Sequence, residues 1–150
     1  MKCALYIGNH TKDTPSVRLG WFLTRLVQKG SYSNVTHVEA ILEEHEDGSV
    51  TIGSSSLREG GVRMKRCHLT EGHWDIVDVP QWDAEKAKLW FISFDGYPYD
   101  WRGAFATCMP FAWDENGYFC NGAVGASVGL ECSEIFGPAQ FAAICHSLQK

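Results

Sequence analysis

Cys120 is the residue in this chain best placed to act as a nucleophile. Aromatic Tyr118 and Phe119 precede it and a run of small residues, Asn121-Gly122-Ala123-Val124-Gly125-Ala126-Ser127, follows. If that run is a helix, the thiol stands at its N-terminus, where the peptide dipoles and unpaired N–H groups favour a thiolate over a thiol. The Cys120 backbone N–H then points to where an oxyanion would form. The competing reading is a small buried core residue, the usual fate of a free Cys.

A thiol nucleophile needs a base, and the chain has six histidines. His10, His68 and His73 fall in polar loop sequence, His45 in an acidic, solvated hairpin and His146 near the C-terminus. His37 is different, because it lies inside Thr36-His37-Val38-Glu39-Ala40-Ile41-Leu42, a strand pattern that gives the ring a fixed direction. Glu39, two residues on, faces the same side and can orient the imidazole. The alternative is a histidine on the solvent face of an edge strand.

Metal chemistry is the next candidate. Cys67, His68 and His73, with Cys3 or His10, carry ligand-type side chains, but their spacing matches no paired-cysteine zinc pattern. No metal and no cofactor is expected. Gly60-Gly61 lacks the lysine and helix context of a phosphate loop.

The elements that must position these residues follow from pattern. Strands are expected at 3–7, 35–42, 49–54, 60–65 and 74–79, with an Asp47-Gly48 hairpin turn between the second and third. An amphipathic helix is expected at 17–27, ended by Gly30. Asp83 caps a helix reaching about Phe94, with Leu89, Trp90 and Phe91 turned inward, and Gly96-Tyr97-Pro98 breaks it. Further helices are expected at 99–107, at 120–130 and from Pro138 to Leu148, the last opened by its proline. The three glycines of 120–130 disfavour an exposed helix and suit one packed tightly on a sheet. Trp101 and Trp113 read as core or cleft wall.

These elements make a single α+β domain spanning residues 1–150, with a central antiparallel sheet packed against the helix that begins at Cys120. At 45% hydrophobic and 21% charged residues, 150 residues suffice for one core. Thirteen Lys and Arg against eighteen Asp and Glu leave a net charge of −5, which excludes binding of nucleic acid through a broad basic surface. No apolar run approaches a membrane span, and the first residues read as a strand rather than a signal peptide. The six cysteines, none in a CxxC pair, read as reduced thiols of a cytoplasmic protein.

Six sequence pieces, taken in order, resemble a known family. They are Tyr-Ser-Asn-Val-Thr-His-Val-Glu-Ala-Ile-Leu (32–42) with the hairpin after it, Gly-Ser-Ser-Ser (53–56), Gly-Gly-Val-Arg-Met-Lys (60–65), Trp-Asp-Ile-Val-Asp-Val-Pro (74–80), Gly-Tyr-Pro-Tyr-Asp-Trp-Arg-Gly (96–103) and Tyr-Phe-Cys (118–120). The series is similar to the circularly permuted NlpC/P60 branch of papain-like cysteine hydrolases, in its small bacterial and phage forms, in which the histidine strand precedes the cysteine helix. The resemblance implies Cys120 as nucleophile and His37 as base. It also implies an amide substrate, a small peptide or peptidoglycan fragment, reached through a phage or another export route. A lipid or thioester acyl substrate is the alternative within enzymes. Relatives often read Phe-Cys-Ser-Glu where this chain has Phe119-Cys120-Asn121-Gly122, and Gly53 stands where a polar residue would orient the histidine. Glu39 is then the first choice for that task, with Ser54 or Ser55 as substitutes. These departures also motivate a rival reading, a non-catalytic binding or assembly protein on the same fold. Cys132-Ser133-Glu134 imitates the family's Cys-Ser-Glu, but Gly137-Pro138 follows too soon for a helix, and it reads as loop.

Overall fold

The computed structural model describes residues 1–7, 34–106, 117–131 and 136–149. The expected helix at 17–27, His10, Cys108, Trp113 and the loop at Cys132-Ser133-Glu134 lie outside the described residues.

The alternating and apolar runs pair into one five-stranded antiparallel sheet. Its strands are β1 (Lys2–Tyr6), β2 (His37–Glu44), β3 (Val50–Ser56), β4 (Gly61–Cys67) and β5 (Trp74–Asp78), in the spatial order β4-β3-β2-β1-β5. Each expected strand is present, with its ends moved by a residue or two, the usual latitude at element boundaries. The β2–β3 connection is the Asp-Gly turn: Gly48 has φ 77°, the left-handed region that glycine enters without a Cβ clash. Asp47 Oδ1 secures the turn by accepting from the Ser49 N–H at 3.0 Å and the Ser49 hydroxyl at 2.6 Å. The β2–β3 register shifts between Ile41 and Glu43, so Leu42 is the extra residue of a bulge.

Four helices are described: α1 (Ala84–Ser93), α2 (Trp101–Ala106), α3 (Cys120–Ser127) and α4 (Pro138–Leu148). Asp83 caps α1 as its sequence position requires, accepting from the N–H groups of Glu85 at 2.9 Å and Lys86 at 3.2 Å. Of the three α1 residues expected to turn inward, Phe91 is fully buried and Trp90 half-buried, but Leu89 is 63% exposed. The reason is helical geometry: Ala87 and Phe91, four apart, form the stripe that meets the sheet, and Leu89 between them falls on the far side. Trp101 is also exposed rather than core. α3 stops at Ser127, short of 130, where Gly129 takes φ 75° and the N–H of Leu130 reaches back to the Gly125 carbonyl.

One face of the sheet carries the main core. Cys3, Leu5, Val38, Ala40, Leu42, Val62 and Val77 pack there against Phe91 of α1, Ala123 and Val124 of α3, and Phe141 and Cys145 of α4. Each fully buried large side chain of this set contributes about 1.5–3 kcal/mol relative to exposure. The small residues of α3 let its backbone settle on β2 and β3, and every residue from Cys120 to Gly125 is buried. Ala4, Ile41, Val50 and Ile52 form a second, smaller cluster. β2 is the middle strand and is buried from Val38 to Leu42. Glu39 is the one charged residue within that stretch.

Candidate active site

The site is assembled at the start of β2 and the start of α3. His37 is the first residue of β2 and Cys120 the first residue of α3, with Phe119 in extended backbone as the helix cap. The Cys120 thiol lies near enough to His37 to favour the charged ring. His37 Nε2 lies 2.7 Å from Glu39 Oε1, so Nδ1 is the ring nitrogen left for the sulfur. The thiol also lies 3.7 Å from Asn121 Oδ1. Asn121 is fully buried, and its amide donates to the Phe136 carbonyl just before α4. The side chain after the nucleophile thus ties the start of α3 to the start of α4.

Glu39 is 3% exposed. A lone buried carboxylate would be costly, and here it is paired twice. Beside the contact to His37, Arg63 of β4 donates from Nη1 to Oε2 at 2.8 Å and from Nη2 to Oε1 at 2.6 Å. Burial opposes ionisation of Glu39, but the charge and hydrogen bonds of His37 and Arg63 outweigh it and bring the carboxyl from 4.5 down to about 2. Burial likewise opposes the charged imidazole. The charge of Glu39, with hydrogen bonds to Cys120 and Glu39, overcomes it and raises His37 from 6.5 to about 10. Around neutral pH the site therefore holds an imidazolium between a carboxylate and a sulfur.

The structure brings together Cys120, His37 and Glu39, the three residues singled out by the sequence. The two serines considered as substitutes for Glu39 are committed elsewhere. The Ser54 hydroxyl donates to the Val38 carbonyl at 2.7 Å, and the Ser55 hydroxyl donates to the Tyr118 carbonyl. Gly53 has a packing role: a Cβ built there would lie 2.6–2.9 Å from the Phe91 ring, so its lack of a side chain makes room for the core. The other described histidines go elsewhere, His146 Nε2 to Asp75 Oδ2 at 3.1 Å and His73 edge-on to Tyr6. His45 is not solvated as expected, because its Nε2 meets Thr51 Oγ1 at 2.8 Å and the ring is largely covered by the hairpin. Cys120 is almost closed off from solvent. It is 4% exposed, whereas the His37 side chain keeps 28% of its surface, so solvent meets the pair on the imidazole side.

Two further residues at the site, Arg63 and Tyr99, carry no local sequence signal for it. Arg63 sat in an expected strand with no signal beyond period-two alternation, and its partner is two strands away. Tyr99 stands where the sequence predicts the start of a helix. Instead the chain at 98–100 runs beside 117–118, with the Tyr118 N–H on the Pro98 carbonyl at 3.2 Å and the Asp100 N–H on the Tyr118 carbonyl at 3.1 Å. This places Tyr99 beside Cys120, where burial and the charges of Cys120 and Asp100 hold its phenol proton far more tightly than usual. Asp100 ends the segment by accepting from the Gly103 N–H at 2.7 Å at the opening of α2.

Among the described residues no three His, Cys, Asp or Glu side chains are grouped so as to hold a metal ion, and no helix is long and apolar enough to cross a membrane. Cys3, Cys67, Cys120 and Cys145 are free thiols. Comparison of the chain with protein-family models, with curated proteins and with solved structures finds no match.

Proposed function

We propose that this protein is a cysteine-dependent hydrolase of the papain-like, permuted NlpC/P60 type. The observation that carries the reading is His37, held on a buried, ionised carboxylate of its own strand, with the thiol at the head of α3 near enough to favour the charged ring. Cys120 sulfur attacks the substrate carbonyl carbon, and the oxyanion that forms meets the Cys120 backbone N–H at the positive end of the helix. His37 delivers its Nδ1 proton to the leaving nitrogen as the C–N bond breaks, leaving a thioester on Cys120. The now neutral ring takes a proton from water, whose oxygen attacks the thioester and releases the acid. Glu39 supports the imidazolium throughout and keeps one tautomer.

The resemblance of the chain makes a peptide amide, such as that of a peptidoglycan fragment, the leading substrate, with a lipid or thioester acyl group second. A non-catalytic binding or assembly role has one observation in its favour, the burial of the Cys120 sulfur. The deciding experiment maps iodoacetamide labelling at pH 7 and compares wild type, His37→Ala and Cys120→Ala on peptidoglycan peptides and acyl esters. The hydrolase reading expects fast labelling of Cys120 that His37→Ala slows, and product that Cys120→Ala abolishes. Equal product from wild type and Cys120→Ala would favour the binding role.

A further inference from the structure

Arg63 reaches Glu39 across an intervening strand. In the β3–β4 register Ser54 faces Arg63, and in the β2–β3 register Gly53 faces Ala40, so Ser54 stands between Glu39 and Arg63. Its short side chain turns back to the Val38 carbonyl and leaves room for a guanidinium to pass over it. The fork of Arg63 then takes both oxygens of Glu39, at 2.8 and 2.6 Å. The opposite edge of the guanidinium is anchored as well: Nε donates to Glu59 Oε2, while Glu59 Oε1 accepts from Lys65 at 2.6 Å. The Arg63 and Glu39 side chains are 12% and 3% exposed, so this pair is largely desolvated, while Glu59 and Lys65 behind it reach the surface.

Glu39 Oε1 is shared between Arg63 Nη2 and His37 Nε2. With both oxygens held by one planar fork, the carboxylate cannot rotate, and Oε1 stays aimed at the ring. We propose that Arg63 is a positioning residue for the Cys120–His37 pair, acting through Glu39 to hold the Nε2 edge of His37 on Oε1 and so keep Nδ1 presented to sulfur. A lysine would bring the charge but only a point donor, without the two-pronged geometry.

Among the described residues, the groups that bear on Glu39 are few. His37 faces it from its own strand, Arg63 and more remotely Cys67 from β4, with Glu59 and Lys65 behind Arg63, while β1 places Ala4 and β3 places Ser54 beside it. His37 in turn faces Glu39 and Cys120, with Tyr99 beyond the sulfur. Among the described residues, Arg63 is thus the cation that keeps Glu39 ionised independently of His37.

This inference rests on the hydrolase reading for its consequence but is tested apart from it. The full chain is made as wild type, Arg63→Met and Arg63→Lys. Two readouts are followed with pH: the ring nitrogen and Nε2 proton resonances of His37, and the iodoacetamide rate at Cys120 mapped by mass spectrometry. In Arg63→Met, Glu39 takes up a proton at a higher pH. The downfield shift of the Nε2 proton that marks its hydrogen bond to Glu39 then fades on acidification well before it does in wild type, and labelling near pH 5 falls about tenfold more than at pH 8. Arg63→Lys recovers part of the loss. A role confined to folding would instead lower the stability and leave both pH profiles unshifted, and that result overturns the inference. Should Arg63→Met fail to fold, Arg63→Lys and Glu59→Gln, which frees only the far edge of the guanidinium, carry the same comparison. A wild type whose Cys120 labels slowly, without dependence on His37, defeats the hydrolase reading, while the His37 resonances still decide the role of Arg63.

Discussion

Glu39 Oε1 lies 2.7 Å from Nε2 of His37, although the two residues are only two apart on a single strand. Residues so spaced on a strand point to the same side with their Cα atoms roughly 7 Å apart, and a glutamate is long enough to curl back along the strand to a ring. The base and its orienting group therefore come as one local unit on β2. Replacing Glu39 by Gln keeps the shape but removes the charge, leaving Arg63 and His37 facing a neutral amide. The expected loss is about 3 kcal/mol of folding stability, the scale for breaking a buried ion pair from one side. Urea unfolding of Glu39→Gln against wild type at pH 6 measures it, and Cys120 alkylation should slow in the same variant.

The same pair predicts a stability plateau in mildly acidic solution. Glu39 falls from 4.5 to about 2 in the folded protein, so its contribution is complete above about 4.5 and is lost as the pH drops through 2. His37 rises from 6.5 to about 10, so its contribution is complete below about 6.5 and is lost as the pH climbs through 10. Both limbs report one shared interaction and are not added. The drop on the acid side is on the order of 3 kcal/mol. Unfolding midpoints measured from pH 2.5 to 10 should peak between about 4.5 and 6.5, and His37→Gln should flatten the alkaline limb.

Gly53→Ala should destabilise the fold through packing. The new methyl would meet Phe91 Cδ2 and Cε2 at 2.6 and 2.7 Å, far inside contact distance, and neither the sheet nor the buried ring can yield cheaply. A cost of about 1–3 kcal/mol is expected. Phe91→Leu introduced beside it should cost less than it does alone, because it vacates the space the methyl needs. A double-mutant cycle with no coupling between the two positions would contradict this account.

Asp83→Ala removes the side chain that accepts from the Glu85 and Lys86 N–H groups at the head of α1. About 1 kcal/mol should be lost in thermal or urea unfolding. Asp83→Asn, which keeps the acceptor, should recover most of it. Iodoacetamide labelling of Cys120 at a temperature where both forms are folded should be unchanged, since Asp83 acts on the first turn of α1, while Trp90 near its other end is what meets Tyr118.

Local chemistry made much of this architecture readable along the chain. Period-two alternation and apolar runs marked the strands, the Asp47-Gly48 dipeptide a turn, Asp83 and Pro138 the heads of helices, and the small residues after Cys120 a close-packed helix. These are signals between residues a few positions apart, where backbone sterics and short-range hydrogen bonds act. The partnership of His37 and Glu39 belongs to the same class, because strand geometry alone puts both side chains on one side.

What the sequence by itself determined among the described residues is therefore the strands and most helix heads, and the His37–Glu39 unit, with Cys120 at a helix head. The tertiary structure decided the rest: that α3 sets Cys120 against His37, that Arg63 crosses over Ser54 to clamp Glu39, and that Tyr99 comes to lie beside the sulfur. It also reversed the meaning of Gly53, from a missing polar group into the space for Phe91, and turned Leu89 outward while burying Cys120. The physical reason is common to all of these. Each depends on distances between residues remote in the chain, set by strand order, by register and by the depth to which a glycine-rich helix sinks onto the sheet, and no local propensity encodes those distances.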